Sequence, residues 1–438
     1  MTGANTNRVA THFMRYGIHA EKQYFYDQFR DCYDGVCLNG NLVAYSLKGV
    51  CSFLLPLLTD KQFFIDPITH AFGHDPKHIS RMQQDGTREP KRAIAALADA
   101  FGSPVIDHLG ERPVCPQDFS DEAVLHQFTR GVMDFQKSII TEGLQEDQKY
   151  IDAEHREPNI LIAPYFYLSA YEPEEWLETN AQFVRAASSI SGEVPLFAEL
   201  LIARDAFIDS EIRRKVLEIY SKMNASGVVL WVESLSEHSA PSWVLDAYRR
   251  FIDGLVQGNK HVLILHGGYF STVLTTNGAT SVCHGPGYGE SREVTPVGGG
   301  IPSPTFYHPS LHKRVPYREV AFALERAGIN DVDTYLQRVC DCGVCQRLLQ
   351  QGFEGLSRYG EFESGFRSDG VAFEYATTAS KRLSTGHYLY RKKKEFDFVR
   401  RNDISTTVQQ LRQHQSECFD LFGAEESAHL GEWAKALT

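Results

Sequence analysis

Three cysteines fall within six positions, Cys340-x-Cys342-x-x-Cys345, in the segment from Val339 to Gln346. Thiolates packed this closely can hold a borderline-soft d10 cation, which takes sulfur and imidazole ligands converging on a tetrahedron. A knuckle of this spacing offers three thiolates from one turn, with Gly343 easing the tight backbone. A fourth ligand must come from elsewhere, and His387, in Thr385-Gly-His-Tyr-Leu-Tyr390, is the best candidate. No second cysteine pair accompanies the knuckle, so the expected metal is one closed, structural Zn2+. The remaining six cysteines (Cys32, Cys37, Cys51, Cys115, Cys283 and Cys418) show no disulfide-framework spacing and are expected to be free, small and mostly buried.

A second group of candidates sits at the ends of apolar runs. Asp66 closes Gln62-Phe-Phe-Ile-Asp66 just before Pro67, with His70 and His74 beyond it. Glu199 lies within the run from Val194 to Ile202, and Glu233 ends Gly227-Val-Val-Leu-Trp-Val-Glu233. His266, Gly267 and Gly268 follow His261-Val-Leu-Ile-Leu265, and Cys283 and His284 end the run that starts at Ala279. Polar groups at the carboxyl ends of buried parallel strands are where barrel enzymes place their chemistry. The bland readings are a turn-forming Asp before Pro, a Glu199 facing outward, glycines serving helix–strand packing, and a loop histidine.

These runs need elements to position them. The apolar strands alternate with helical stretches: Glu174 to Ser189, a helix capped by Asp209 or Ser210 and running to about Asn224, Ser242 to Val256, and Tyr269 to Asn277 closed by Gly278. Asn159 to Ala163 and Gly35 to Tyr45 supply further strands. Continuous apolar strands alternating with helices indicate a parallel sheet covered on both faces. The count approaches eight, no Gly-x-Gly-x-x-Gly follows a strand, and 438 residues suit one large barrel. The expected fold is α/β, a (β/α)8 TIM barrel over 1–330 with a helical insertion at about 75–158, then a helical zinc-binding subdomain over 331–438. Within the insertion, Glu89 to Phe101 and Ser120 to Asp152 read as helices.

Cys340-Asp-Cys-Gly-Val-Cys-Gln346 resembles the zinc knuckle of the tRNA-guanine transglycosylase family, including the glutamine after the third cysteine. In that family the fourth ligand is a histidine opening a helix downstream, just after a threonine, which Thr385-Gly-His387 resembles. The longer spacing here implies an insertion around Phe353 to Phe373. The likeness extends more weakly over most of residues 35 to 400. Ile65-Asp-Pro-Ile-Thr-His70 stands where the tRNA enzymes carry Ser-Asp-Ser-Gly-Gly-Phe-Gln, and the Trp231-Val-Glu233 strand lacks their double glycine. The chain therefore looks closest to the branch, found in phages and bacterial genomic islands, that inserts a 7-deazaguanine (preQ0) into DNA.

What the resemblance implies is base exchange. A carboxylate attacks C1′ of the sugar or stabilises its charge, and a second acid–base group manages the proton on the leaving and arriving bases. Asp66 would serve one carboxylate role, and Glu233 or Glu199 the other. His70 would contact substrate, Gly267 and Gly268 would let a flat ring lie close, and His284 would hold phosphate or sugar or shuttle a proton. One departure stands out: the family's nucleophilic aspartate, late in the last barrel strand, aligns near Cys283 or His284, and no aspartate follows before Asp331, although Glu290 is close. A catalytically silent partner subunit, a tRNA enzyme, and an unrelated glycosidase using Asp66 and Glu233 stay open as alternatives.

A net charge of −12 argues against a protein that coats nucleic acid generally. Two basic patches nonetheless stand out, His312-Lys-Arg314 with Arg318, and Lys381, Arg382 and Arg391 to Lys394. They are expected to form a phosphate-binding face beside the knuckle. The expected partners are DNA (tRNA as the alternative) and a 7-deazaguanine base, with a homodimer or accessory proteins left open. No apolar run is long enough to span a membrane and Met1 to Arg8 lacks the apolar core of a signal peptide, so a cytoplasmic location is expected.

Overall fold

The computed structural model describes residues 10–146, 157–287, 289–295, 305–366 and 372–438. Its centre is an eight-stranded parallel sheet built from β1 (Thr11–Tyr16), β2 (Gly35–Asn39), β3 (Gln62–Asp66), β6 (Leu161–Ile162), β7 (Leu196–Ala203), β8 (Gly227–Glu233), β9 (His261–Leu265) and β10 (Ser281–His284). The spatial order is β3-β2-β1-β10-β9-β8-β7-β6. The two edges meet just ahead of β6, where the Asn159 amide donates to the Phe63 carbonyl and the Phe63 amide donates to Asn159 Oδ1, each at 2.8 Å. The sheet is thus a nearly closed barrel.

Side chains alternate between its two faces. Met14, Val36, Ile65, Leu200, Leu230, Ile264 and Val282 face the helices, in the main core. Phe13, Cys37, Phe64, Phe197, Leu201, Trp231, Leu265 and Cys283 fill the interior as a separate cluster. By the same alternation Arg15, Asp66, Glu199 and Glu233 project inward. At the amino-terminal end the Phe13 and Phe197 rings lie across Gly35 and Gly227; a Cβ at either glycine would come within 2.3 Å of the ring. Those two rings pack across the floor.

Strand β1 has no counterpart among the expected strands, and it completes the count. The run read as a strand from Gly35 to Tyr45 divides: β2 stops at Asn39, whose side chain caps a helix, Gly40–Tyr45. Gly40 must turn there because a Cβ would meet the Asp66 carbonyl at 2.7 Å. The region expected as a helical insertion holds the helices Arg92–Phe101 and Glu122–Glu146, plus a hairpin of β4 (Ser80–Met82) and β5 (Arg88–Pro90). Residues 147–152 of the second expected helix lie outside the described residues.

Beyond the barrel come a hairpin of β11 (Thr305–His308) and β12 (Lys313–Pro316), short helices flanking the cysteines, and a second hairpin of β13 (Phe362–Phe366) and β14 (Ala372–Ala376) in the region expected as an insertion. Three longer helices follow, Thr378–Val399, Ile404–Phe422 and Ala424–Ala436. The last returns to the barrel: Trp433 Nε1 donates to the Glu237 carbonyl at 2.7 Å, and Arg249 Nε on the helix Ser242–Gln257 donates to the Ala436 carbonyl at 3.0 Å. Among the described residues no helix is long and apolar enough to cross a membrane.

Candidate metal centre and barrel mouth

The four expected metal ligands converge. Cys342 ends in the Asx-like position ahead of the helix Gly343–Leu349, its Sγ accepting from the Cys345 amide at 3.5 Å, while Cys340 Sγ accepts from the Cys342 amide at 3.4 Å. These bonds fold the knuckle and set the sulfurs on one side. His387 arrives from the helix Thr378–Val399, with Nδ1 at 3.8, 3.3 and 3.5 Å from the sulfurs of Cys340, Cys342 and Cys345. All four ligand atoms lie within 4.8 Å of one another. Zinc-type bond lengths of about 2.3 Å to sulfur and 2.1 Å to nitrogen put tetrahedral neighbours about 3.6 Å apart, so the donor set fits a tetrahedral cation. His387 Nε2 donates to the Tyr307 carbonyl at 2.8 Å, which leaves Nδ1 as the free lone pair. The hydroxyls of Tyr335 and Tyr359 each lie 3.4 Å from Cys345 Sγ, and Phe306 stacks on the His387 ring. All four ligands are buried, so no position is open to substrate.

At the carboxyl ends of the strands a second polar cluster lies inside the barrel. Asp66 is 1% exposed; its Oδ1 accepts from the Tyr165 hydroxyl at 2.7 Å and the Ile68 amide at 3.0 Å, and Arg15 Nη2 lies 3.7 Å from Oδ2. Burial raises its pKa, against the pull of Arg15 and Tyr165. Glu199 is 2% exposed and neither of its oxygens makes a hydrogen bond. Burial first, then the facing Asp66 charge, push its pKa well above the usual carboxylate range. The pair therefore sets a carboxyl compensated by Arg15 and Tyr165, Asp66, beside one whose charged form burial and the facing Asp66 disfavour more strongly, Glu199. The Tyr165 hydroxyl also lies 3.0 Å from His70 Nδ1, and burial holds His70 neutral. Three non-glycine residues at the strand ends adopt left-handed backbone: Ile68, Ser234 and His266, with φ of 48°, 54° and 57°. Strain of this kind gathers at functional sites.

Glu233 stands at the rim, accepting from the Tyr167 hydroxyl and, at 3.1 Å, from the Val294 amide. Residues 289–295 cross the mouth here, with Trp231 Nε1 and the Ser234 amide both donating to the Arg292 carbonyl at 3.3 and 3.1 Å.

Other expected residues are placed elsewhere. His284 is on the outer face with Val282, bonded to His12, Tyr388 and the Gly285 carbonyl, so it does not join Asp66 in the interior. Gly267 and Gly268 are buttressed from behind: a Cβ would meet Ser271 and Val282 at 2.7 Å, or the Glu237 carboxylate at 2.5 Å. Glu237 uses that space to accept from the Gly268, Phe270 and Ser271 amides. The basic face also changes. Lys392 is fully buried between Glu290 and Glu395, at 2.7 and 3.1 Å. Lys393 pairs with Asp397, Lys394 with Asp341, and His312 with Glu395. Lys381 and Arg382 do line an open groove of about 760 Å³, with Lys22 and Arg314.

Arg15 and Tyr165 escaped the sequence reading. Arg15 was findable as the inward partner of Phe13 in an alternating run, once β1 was recognised as a strand. Tyr165, beyond Pro164 in irregular chain, carried no such signal. At the inner face of β10, Cys283 stands where a carboxylate was sought, and burial and the Cys283 thiol raise the pKa of Cys37, also facing the interior. No family model, curated protein or solved structure matches this chain.

Proposed function

We propose that this chain is a nucleobase transglycosylase, a TIM-type (β/α)8 barrel stapled by a structural zinc ion, that exchanges guanine in DNA for a 7-deazaguanine derivative. The observation that carries the reading is the buried Asp66–Glu199 pair, one carboxyl compensated by Arg15 and Tyr165 and one whose pKa burial and the facing Asp66 push up. The resemblance of the segment Cys340 to Gln346 to a transglycosylase knuckle supplies the reaction class.

In this reading an Asp66 oxygen bonds to C1′ of the target nucleotide. The C1′–N9 bond breaks, its electron pair passes to N9, and Glu199 gives its proton to the departing guanine. The incoming 7-deazaguanine then attacks C1′ through its ring nitrogen, its proton returns to the Glu199 carboxylate, and Asp66 is released. Tyr165 orients Asp66, and Arg15 balances its charge. Glu233 reads the base at the rim. Zinc, when bound, takes no part in proton or glycosyl transfer; it fixes the knuckle to the helix that carries His387.

The test is incubation of zinc-loaded protein with duplex DNA, or with tRNA, and a labelled 7-deazaguanine, followed by nucleoside mass spectrometry. Incorporation into DNA is expected; incorporation into tRNA alone would move the assignment to the tRNA branch. Absence of incorporation into either would sink the enzyme reading. It would favour the second one, a silent nucleic-acid-binding partner subunit, which Cys283 on the inner face of β10 speaks for.

A further inference from the structure

The Asp66–Glu199 pair is closed off from solvent, so something must move before any substrate reaches it. The segment from Gly289 to Thr295 is the element lying across the opening. Val294 is buried among the interior side chains, in one cluster with Trp231, Tyr165 and Cys283. The backbone around it is tied to the rim at four points: His266 Nδ1 donates to the Gly289 carbonyl at 3.2 Å, Trp231 Nε1 and the Ser234 amide donate to the Arg292 carbonyl, and the Val294 amide donates to Glu233. The Arg292 guanidinium lies over the Trp231 ring, 5.8 Å from its centroid. A latch holds the other end: Glu290 meets Lys392 Nζ at 2.7 Å and accepts from the Tyr388 hydroxyl at 2.8 Å.

We infer that residues 289–295 are an autoinhibitory strap that occupies the substrate's own place at the barrel mouth and is displaced by the incoming ligand. The rim groups holding the strap form a readable pattern. Two N–H donors converge on one carbonyl, a carboxylate accepts from a nearby N–H, and an indole lies alongside. What replaces the strap must present a carbonyl acceptor close to an N–H donor on a flat ring, which is the edge of a cyclic amide. That identity rests on the base-exchange reading; the closed strap does not. A ligand can shift a closed–open equilibrium only through such differential contacts.

Cys37 and Cys283 face the interior, whereas Cys418 is buried away from the barrel interior, so the three report opening and unfolding separately. The experiment is N-ethylmaleimide labelling of the full-length zinc-loaded protein, quantified residue by residue by peptide mass spectrometry. Val294→Asp places a charge in the apolar interior, and Glu290→Gln weakens the latch with a smaller change. We expect Cys37 and Cys283 to label about tenfold faster in either variant, with Cys418 unchanged. If Val294→Asp does not fold, Glu290→Gln decides alone. Wild-type rates at Cys37 and Cys283 in the folded variants, or Cys418 accelerating in step with them, would overturn the strap. Guanine is then added to the opened variant. Slower labelling supports the cyclic-amide occupant, and no protection removes that identity. Failure of base incorporation in the separate DNA assay bears only on the reaction.

Discussion

Replacing Lys392 with methionine isolates the energetics of the buried charge cluster that joins the barrel to the helix carrying His387. The ammonium is fully buried between Glu290 and Glu395, and Glu395 also accepts from Tyr307 and His312. Burial alone would raise both carboxyls, but Lys392 overrides it and holds each at about 2, against an ordinary 4.5. At about 1.36 kcal/mol per pH unit, either carboxylate alone implies roughly 3 kcal/mol of stabilisation at neutral pH. The two share one lysine, so the values do not add. Stranding buried charges by removing a partner costs about 3–5 kcal/mol, which brackets the same figure and is a large part of an ordinary domain's stability.

The sign with pH follows. In the wild type both carboxyls titrate below their unfolded value, so their contribution is complete above about pH 4.5 and disappears as the pH falls through 2. In Lys392→Met the stranded carboxyls rise instead, the folded state takes up protons more readily than the unfolded one, and stability should increase as the pH drops from 8 to 5. Urea denaturation at pH 8, 6.5 and 5, followed by circular dichroism, measures both effects. A loss below about 1 kcal/mol at pH 8, or a flat profile across the series, would refute the account. Restoring neutrality with Glu290→Gln and Glu395→Gln beside Lys392→Met should recover much of the loss, because an uncharged cluster leaves no buried charge unpaired.

Three other outcomes are expected. Cys342→Ser or prolonged chelation should lower the bound metal from one equivalent, by elemental analysis, and hydrogen exchange should quicken in the amino-terminal half of the helix Thr378–Val399 before the barrel strands respond. Asp66→Ala should abolish base incorporation with metal content intact, whereas Glu199→Gln should slow it by about 10²–10⁴ and remove the Glu199-dependent limb of the pH–rate profile. Lys393→Glu and Lys394→Glu should barely alter the salt dependence of DNA binding, since both lysines already face Asp397 and Asp341, while Lys381→Glu with Arg382→Glu should weaken binding and reduce the slope of log affinity against log salt.

The barrel was legible in the sequence wherever its strands are continuously apolar: β7, β8 and β9 read directly because both faces are covered. Strand β1 was not, since Thr11-His-Phe-Met-Arg-Tyr16 puts an arginine inward and a histidine outward, and its polar content imitates a loop. The four converging Cys and His side chains were legible because three are local and the fourth follows a short recognisable context. The interior cluster was only half visible. Asp66 and Glu199 terminate or interrupt apolar runs, but the compensation of Asp66 comes from Arg15 and Tyr165, which arrive from β1 and from irregular chain. Burial direction was the weakest inference of all. The run Arg391-Lys-Lys-Lys394 reads as a uniform basic surface, yet a turn of about 100° per residue sends Lys392 fully into the interior.

The two phenylalanines lying across Gly35 and Gly227 have a kinetic consequence. They pack across the amino-terminal end of the interior, opposite the end where Asp66 stands. If the barrel exchanges bases as proposed, the outgoing ring would leave by the way the incoming ring arrives. For the proposed base exchange, one way in would favour an order in which the first base leaves before the second enters.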